Sequence, residues 1–266
     1  MPRQSVNGVE LYWELHGPKD GEPLVLNNGV FMTTASWAFQ VPAFARRHRV
    51  LTYDMRGQGR SHHPEGEYSL DMHADDLAAL MDALDLGQAH LVGTSYGGEL
   101  NLVMGTRFPE RCRTLVIIAS VSHSEPPLAA AIARWRAAAI RGDAAAFFRT
   151  IAPDVYSDAF LAAHPDWLAQ ADERAPAFDL EAAVRLIESF QRFDQRAALP
   201  AIRIPTCIVS AERDILKPPA SGEYLHAAIA NSEFHLVAGA GHAVVLERPD
   251  EVNAIVMDFL ARHAAT

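Results

Sequence analysis

A serine hydroxyl becomes a useful nucleophile near neutral pH when a base stands beside it and an acid orients that base. The residues Gly93-Thr94-Ser95-Tyr96-Gly97 form a G-x-S-x-G pattern. It follows the apolar run 90–94, which reads as a strand, and opens the segment 96–108, which reads as a helix. That strand–turn–helix context gives the pattern its meaning, because the serine is then carried on a tight, strained bend with its hydroxyl clear of the sheet. Glycine is required at 93 and 97, where a Cβ would press on neighbouring backbone. Of the twelve histidines, His242 stands out, since Gly239-Ala240-Gly241-His242 follows an apolar strand and leads into Val244, Val245 and Leu246. His62, His63 and His73 lie near the loop 56–61 and are expected at the rim of a site, whereas His123 and His164 are expected at the surface.

The acid should follow the strand that precedes this histidine. Residues 206–210 are that strand, and Ala211-Glu212-Arg213-Asp214 comes next. Asp214 is the candidate and Glu212 its rival. The other place for such an acid, after a strand ending at Ala119, holds Ser120. The order Ser95, Asp214, His242 is that of one known triad class and differs from both common serine protease orders. An acyl transfer reaction also needs donors for an oxyanion. The N–H of Tyr96, unpaired at a helix start, is one candidate. The N–H of Val30, in Asn28-Gly29-Val30-Phe31 after the strand 24–27, is the other.

The elements that must position these residues alternate. Strands are expected over 9–16, 24–27, 49–53, 90–94, 113–119, 205–210 and 232–237, and helices over 34–47, 70–85, 96–108, 221–230 and 250–263. Pro42 should kink or bound the helix over 34–47, and Ser69 caps the helix over 70–85. Strands alternating with helices of 10 to 15 residues imply an α/β fold with a parallel sheet covered on both faces. Residues 121–200 break the alternation. They hold helical segments near 127–141, 143–150, 154–163 and 179–192, dotted with Trp135, Phe147, Phe148, Tyr156, Phe160, Trp167, Phe178, Phe190 and Phe193. They are expected to form a helical cap over the C-terminal edge of the sheet, where open α/β folds bind ligands. The division is then a core domain of residues 1–120 and 201–266 with a cap of residues 121–200.

Composition excludes several other classes. The chain has 266 residues, 49% of them hydrophobic and 21% charged, with a formal net charge of -10. Such a chain can bury a large core without a staple, and an acidic one exerts no global pull on nucleic acid or an anionic membrane. The two cysteines, Cys112 and Cys207, read as buried thiols of a cytoplasmic protein, and no CxxC pair occurs. No signal-peptide apolar region and no transmembrane run are present in the sequence. There is no HExxH helix or Cys cluster for a metal and no GxGxxG for a dinucleotide, so no metal and no cofactor are expected. Asp71, His73 and Asp75, at i, i+2 and i+4, do not share a helix face.

Taken together, the segments LVLNNG at 24–29, YDMRGQGRS at 53–61, HLVGTSYGG at 90–98, VSAERD at 209–214 and GAGH at 239–242 resemble the α/β-hydrolase family, over residues 9–263. The resemblance implies a mostly parallel eight-stranded sheet, with Ser95 as nucleophile of a covalent acyl-enzyme, Asp214 as acid, His242 as base, and Val30 and Tyr96 as the oxyanion-hole pair. The loop 54–61 resembles the family's fixed turn beside the active site. Many members carry His-Gly where this chain has Asn28-Gly29. An asparagine there is shared with enol-lactonases, and NGVFMTTASW at 28–37 resembles the loop of the synthase that makes the hydroxyalkanoyloxy-alkanoate precursor of rhamnolipids. The expected function is hydrolysis of a carboxylic ester, lactone or thioester with a small to medium, mainly apolar acyl portion. Transfer of the acyl group to an alcohol or hydroxyacyl acceptor is the alternative, with an acyl carrier as one form of donor. Cofactor-free peroxidase or lyase chemistry and a non-enzymatic receptor are more distant readings. One of the arginines at 134, 136, 141, 149, 174, 185, 192 and 196, turned inward, would suit a substrate carboxylate or a carrier phosphate.

Overall fold

The computed structural model describes residues 2–169 and 179–264. Its framework is one eight-stranded sheet. The strands are β1 (Arg3–Val6), β2 (Val9–His16), β3 (Glu22–Asn27), β4 (His48–Tyr53), β5 (Ala89–Thr94), β6 (Cys112–Ile118), β7 (Thr206–Ala211) and β8 (Ser232–Val237). They lie in the order β1-β2-β4-β3-β5-β6-β7-β8. β1, β2 and β4 pair antiparallel and every other pairing is parallel. β1 was not separable in the sequence. It is four residues long and mostly exposed, and it is held by a hairpin whose Asn7 and Gly8 both take positive φ.

The central strands are buried on both faces, as continuous apolar runs in a covered parallel sheet must be. Leu24, Leu26, Val50, Val92, Val116 and Val209 point to one side. Val25, Leu51, Leu91, Leu115, Ile117 and Ile208 point to the other. The first face is covered by α1 (Val41–Phe44) and, at the C-terminus, α11 (Pro249–Arg262), through Phe44, Val256 and Phe259. The second is covered by α2 (Leu70–Ala83) and α3 (Tyr96–Arg107), through Leu77, Leu80, Leu100 and Val103. Ser69 caps α2 by accepting the Met72 N–H at 3.1 Å.

The helix expected over 34–47 is in fact two short pieces, a 3-10 turn at Thr34–Trp37 and α1. Two anchors keep it from running straight. The Thr34 N–H is bound to the buried carboxylate of Asp54 at 2.7 Å, and Trp37 and Phe44 must both reach the core. Pro42 sits in the first turn of α1, where its missing N–H breaks no helical bond.

Between β6 and β7 the chain inserts α4 (Pro126–Ile140), α5 (Ala144–Val155), α6 (Asp158–Ala163), α7 (Asp166–Ala169) and α8 (Leu180–Gln191). α5 runs through Pro153 instead of ending near 150, with Ile151 and Ala152 buried in its last turns. The last helices beside β7 and β8 are α9 (Pro219–Ala228) and the short α10 (Val244–Glu247), which precedes α11. Cys112 and Cys207 are free and buried, and burial pushes the Cys112 thiol up to about 12. Among the described residues, no helix is long and apolar enough to cross a membrane.

α3 begins so close to β3 and β5 that two positions admit no side chain. A Cβ at Gly93 would collide with the carbonyl of Gly97, and one at Gly97 with the carbonyl of Asn27. These neighbours are backbone, which cannot swing aside as a side chain can. Gly97→Ala is therefore expected to lower the unfolding free energy by at least about 1–3 kcal/mol, read from urea denaturation. An unchanged midpoint would show that α3 can shift without cost.

Candidate functional site

Ser95 occupies the single residue between β5 and α3, at φ 54° and ψ -119°. An L-residue is strained in this region, and the bend is held from outside. The Ser95 N–H donates to Ile118 at 2.8 Å, and its carbonyl accepts from Ser120 Oγ at 2.9 Å. Ser120, at the alternative position for an acid, thus braces the serine turn.

The loop after β7 carries Asp214, which is 3% exposed. Its Oδ1 accepts the N–H groups of Leu216 and Lys217 at 2.9 and 2.8 Å. Its Oδ2 lies 2.7 Å from His242 Nδ1, and His242 Nε2 lies 2.9 Å from Ser95 Oγ. The three residues predicted from sequence are thus brought into one hydrogen-bonded line. The rival Glu212 is exposed and accepts the Gly239 N–H at 2.9 Å, so it braces the histidine loop.

That loop is also tied to the insertion. Ala243 N–H donates to Val155 at 2.9 Å. Glu247 accepts from Ser157 N at 2.9 Å, from Ser157 Oγ at 2.6 Å and from Gly241 N at 3.0 Å.

Val30 and the N-terminal residue of α3, Tyr96, line the same cavity as Ser95. The Asn28 side chain fixes the loop that holds Val30. Its Nδ2 donates to the Tyr53 carbonyl at 3.0 Å, and its Oδ1 accepts from Trp37 Nε1 at 2.7 Å. Phe31 completes the bend at φ 67°. Behind it, buried Asp54 accepts the N–H groups of Thr34 and Arg60 at 2.7 and 2.8 Å. Burial raises the Asp54 carboxyl against the pull of those bonds. Gly59, at φ 54°, packs where a Cβ would strike the Asp54 carboxylate. The turn 54–61 therefore supports the loop at 28–34.

Two buried charges went unrecognised in the sequence. Lys217 Nζ lies 2.5 Å from Glu99 Oε1 and 3.1 Å from Ser95 Oγ. The two side chains are 3% and 0% exposed. Glu99 Oε1 also accepts the Val121 N–H at 3.2 Å, while Oε2 has no hydrogen-bond partner among the described residues. Burial pushes the Glu99 carboxyl up, opposed chiefly by Lys217. One sequence signal does exist: of 23 basic residues only Lys19 and Lys217 are lysine, and Lys217 sits in an otherwise uncharged stretch three residues past Asp214.

The line from Asp214 to Ser95 ends at a cavity of about 510 Å³, lined largely by apolar side chains that include Ile132, Trp135, Phe148, Trp167 and Phe190. Phe147, Phe160 and Phe193 pack elsewhere, and Phe178 lies outside the described residues.

The expected rim histidines are not at this cavity. His73 is buried against the rings of Tyr68 and Tyr96, and burial lowers it to about 3. His63 binds Asp179 at 2.7 Å, and His62 is exposed elsewhere. His164 is at the surface as expected. His123 is half-buried, its ring against Tyr224, because residues 123 and 194 bridge.

No described arginine of the insertion lines the cavity. Arg134, Arg136, Arg185, Arg192 and Arg196 pair with Asp154, Glu188, Glu181, Glu67 and Asp194 instead, and Arg174 is outside the described residues. The cation that does reach the site, Lys217, comes from the loop of Asp214. Asp71 and Asp75 both bind Arg107, while His73 turns inward. Two other clusters, Glu22 with His48 and His90 and Cys207 with Glu233 and His235, bring metal-ligating atoms within 4.8 Å. Their carboxylates already pair with Arg113 and Arg262.

A mostly parallel sheet of this order, with a serine elbow after its fifth strand and a helical insertion before its last two, defines an α/β hydrolase. Residues 22–249 match the alpha/beta hydrolase fold family, and the chain belongs to it. It is a hydrolytic enzyme. RutD of Variovorax paradoxus strain S110, which its name describes as a candidate carbamate hydrolase, is 32% identical over 97% of this chain and 98% of its own. The structure of MGS-M2, an alpha/beta hydrolase enzyme from a Medee basin deep-sea metagenome library, superposes with a TM-score of 0.93 at 29% identity, covering 100% of this chain and 99% of that one. The enol-lactonase from Burkholderia xenovorans LB400 gives 0.91 at 27% identity, over 98% and 100%.

Removing the indole donor to Asn28 leaves a buried acceptor unpaired. Trp37→Phe should therefore cost about 1–3 kcal/mol of stability. Chemical denaturation measures this, and a loss under about 0.5 kcal/mol would mean that Asn28 finds another donor.

Proposed function

We propose that this enzyme is a serine hydrolase that cleaves a carboxylic ester, lactone or thioester through an acyl-enzyme on Ser95, with His242 as base and Asp214 as its orienting acid. The observation that carries the reading is the unbroken line Asp214 Oδ2–His242–Ser95 Oγ, at 2.7 and 2.9 Å, opening on an apolar cavity. In acylation the Ser95 proton passes to His242 Nε2 as Oγ bonds to the carbonyl carbon. The N–H groups of Val30 and Tyr96 receive the oxyanion. The imidazolium then gives its proton to the leaving oxygen or sulfur. Water, deprotonated by the same nitrogen, attacks the acyl carbon, and the imidazolium returns that proton to Oγ as the bond to Ser95 breaks.

Residues 121–200 act as the cap and residues 1–120 and 201–266 as the core. A cavity of about 510 Å³ suits a small to medium acyl group or lactone. The kinship with an enol-lactonase supports the lactone arm. The kinship with RutD adds carbamates, whose carbonyl would be attacked in the same way. Transfer to an alcohol or hydroxyacyl acceptor uses the same acyl-enzyme.

Ser95→Ala should keep the fold and lower kcat by at least about 10³-fold. Asp214→Asn should lose less, and Glu212→Gln should stay near wild type. A panel of p-nitrophenyl esters from C2 to C12, lactones, acyl thioesters and aryl carbamates, with intact-mass detection of acyl-Ser95, measures these outcomes. Full activity in Ser95→Ala would overturn the reading, and a dead Glu212→Gln beside an active Asp214→Asn would overturn the acid's assignment. Adduct that persists in water and is released by an added alcohol would replace hydrolysis with transfer.

A further inference from the structure

The ammonium beside Ser95 has a consequence for the acyl group. A lysine ammonium has three donors and no acceptor. In the free enzyme one donor of Lys217 is taken by Glu99 Oε1 and one by Ser95 Oγ, and Nζ stands 4.7 Å from the centre of the Phe190 ring. The residue lines the cavity yet is almost closed to water. Once Ser95 is acylated, its Oγ is an ester oxygen, whose lone pairs are drawn into the new carbonyl and which accepts hydrogen bonds poorly. The donor aimed at it then has no partner, and leaving a buried donor unmade is costly. Glu99 Oε1 is already shared between Lys217 Nζ and the Val121 N–H.

An oxygen on the acyl chain, close to the carbonyl carbon, would lie within reach of Nζ, which is only 3.1 Å from the atom that the carbonyl carbon joins. Glu99 already balances the charge, so the ammonium serves here as a donor and suits an uncharged oxo or hydroxyl oxygen better than a carboxylate. We propose that Lys217 is a specificity-determining residue that favours acyl groups carrying an oxo or hydroxyl oxygen two or three bonds from the reacting carbonyl carbon. This rests on the serine-hydrolase reading above.

The test compares kcat/KM for p-nitrophenyl 3-hydroxybutanoate and p-nitrophenyl 3-methylbutanoate, which are nearly the same shape. It uses the wild type, Lys217→Met and the double variant Lys217→Met/Glu99→Gln, which leaves no lone buried charge. Rates are normalised to sites titrated by a fluorophosphonate, so a loss of folded protein does not move the ratio. The hydroxy-to-methyl ratio should fall by about 10–100-fold in the variants, the range for a hydrogen bond to a charged group. In the wild type alone, the gain from a hydroxyl should vanish when it is moved to the chain end, as in 6-hydroxyhexanoate against heptanoate. That arm needs no variant to fold. Equal ratios in wild type and variants, or an equal gain at both positions, with acyl-Ser95 still forming, would overturn the role of Lys217 and leave the hydrolase reading intact. Neither turnover nor adduct with any ester would overturn both.

Discussion

The site depends on how closely α3 starts against the sheet. Gly93 and Gly97 let the first turn of the helix press on β5 and on the end of β3 with no side chain between them. The chain must then reverse within one residue, which forces Ser95 into a positive-φ conformation and lifts its hydroxyl out of the sheet. Strain of this kind persists only when the surroundings over-determine it. Here Ile118 and Ser120 hold the serine's backbone from the neighbouring strand. A polar chain from Tyr53 through Asn27 to Asn101 ties α3 to the carbonyls of Leu91 and Val116 below.

Around this bend the polar groups are satisfied in layers. Asn28, which donates to the Tyr53 carbonyl and accepts from the Trp37 indole, and Asp54, which accepts the N–H groups of Thr34 and Arg60, act as fasteners for the loop that carries Val30. Asp214 is fastened likewise by two backbone N–H groups, leaving its other oxygen for His242. The Lys217–Glu99 pair is less complete, with one carboxylate oxygen unmatched in a region closed to water. A pair of this kind is a doubtful source of stability, which makes its position against Ser95 the more informative property.

Much of this was legible in the sequence because it depends on local rules. The apolar runs 24–27, 90–94 and 206–210 are strands because they are short, continuous and ended by turn residues. Ser95, Asp214 and His242 could be placed because each follows a strand, and parallel strands deliver their C-terminal loops to one edge. What was missed depends on distant partners. The segment 34–47 has helical composition, yet Asp54 and the core break it in two. His73 looked like a rim residue from its neighbours in sequence, but the face of α2 that it occupies turns inward onto Tyr96. Arg134, Arg136 and Arg192 find carboxylates, two of them far along the chain, and among the described residues no arginine of the insertion lines the cavity. Lys217 meets Glu99 across 118 residues, and no spacing rule reports such a pair.

Glu247 joins parts of the molecule that are distant in sequence. One of its oxygens serves the backbone of Ser157, and the other serves both the Ser157 hydroxyl and the Gly241 amide. The end of α5 and the loop that carries His242 are therefore mechanically in series. A displacement of the insertion at this end would pull on the backbone at Gly241 and Ala243, on either side of His242. The seating of the insertion and the position of the His242 loop are thus tied to one carboxylate, and neither can be moved without a strain on the other.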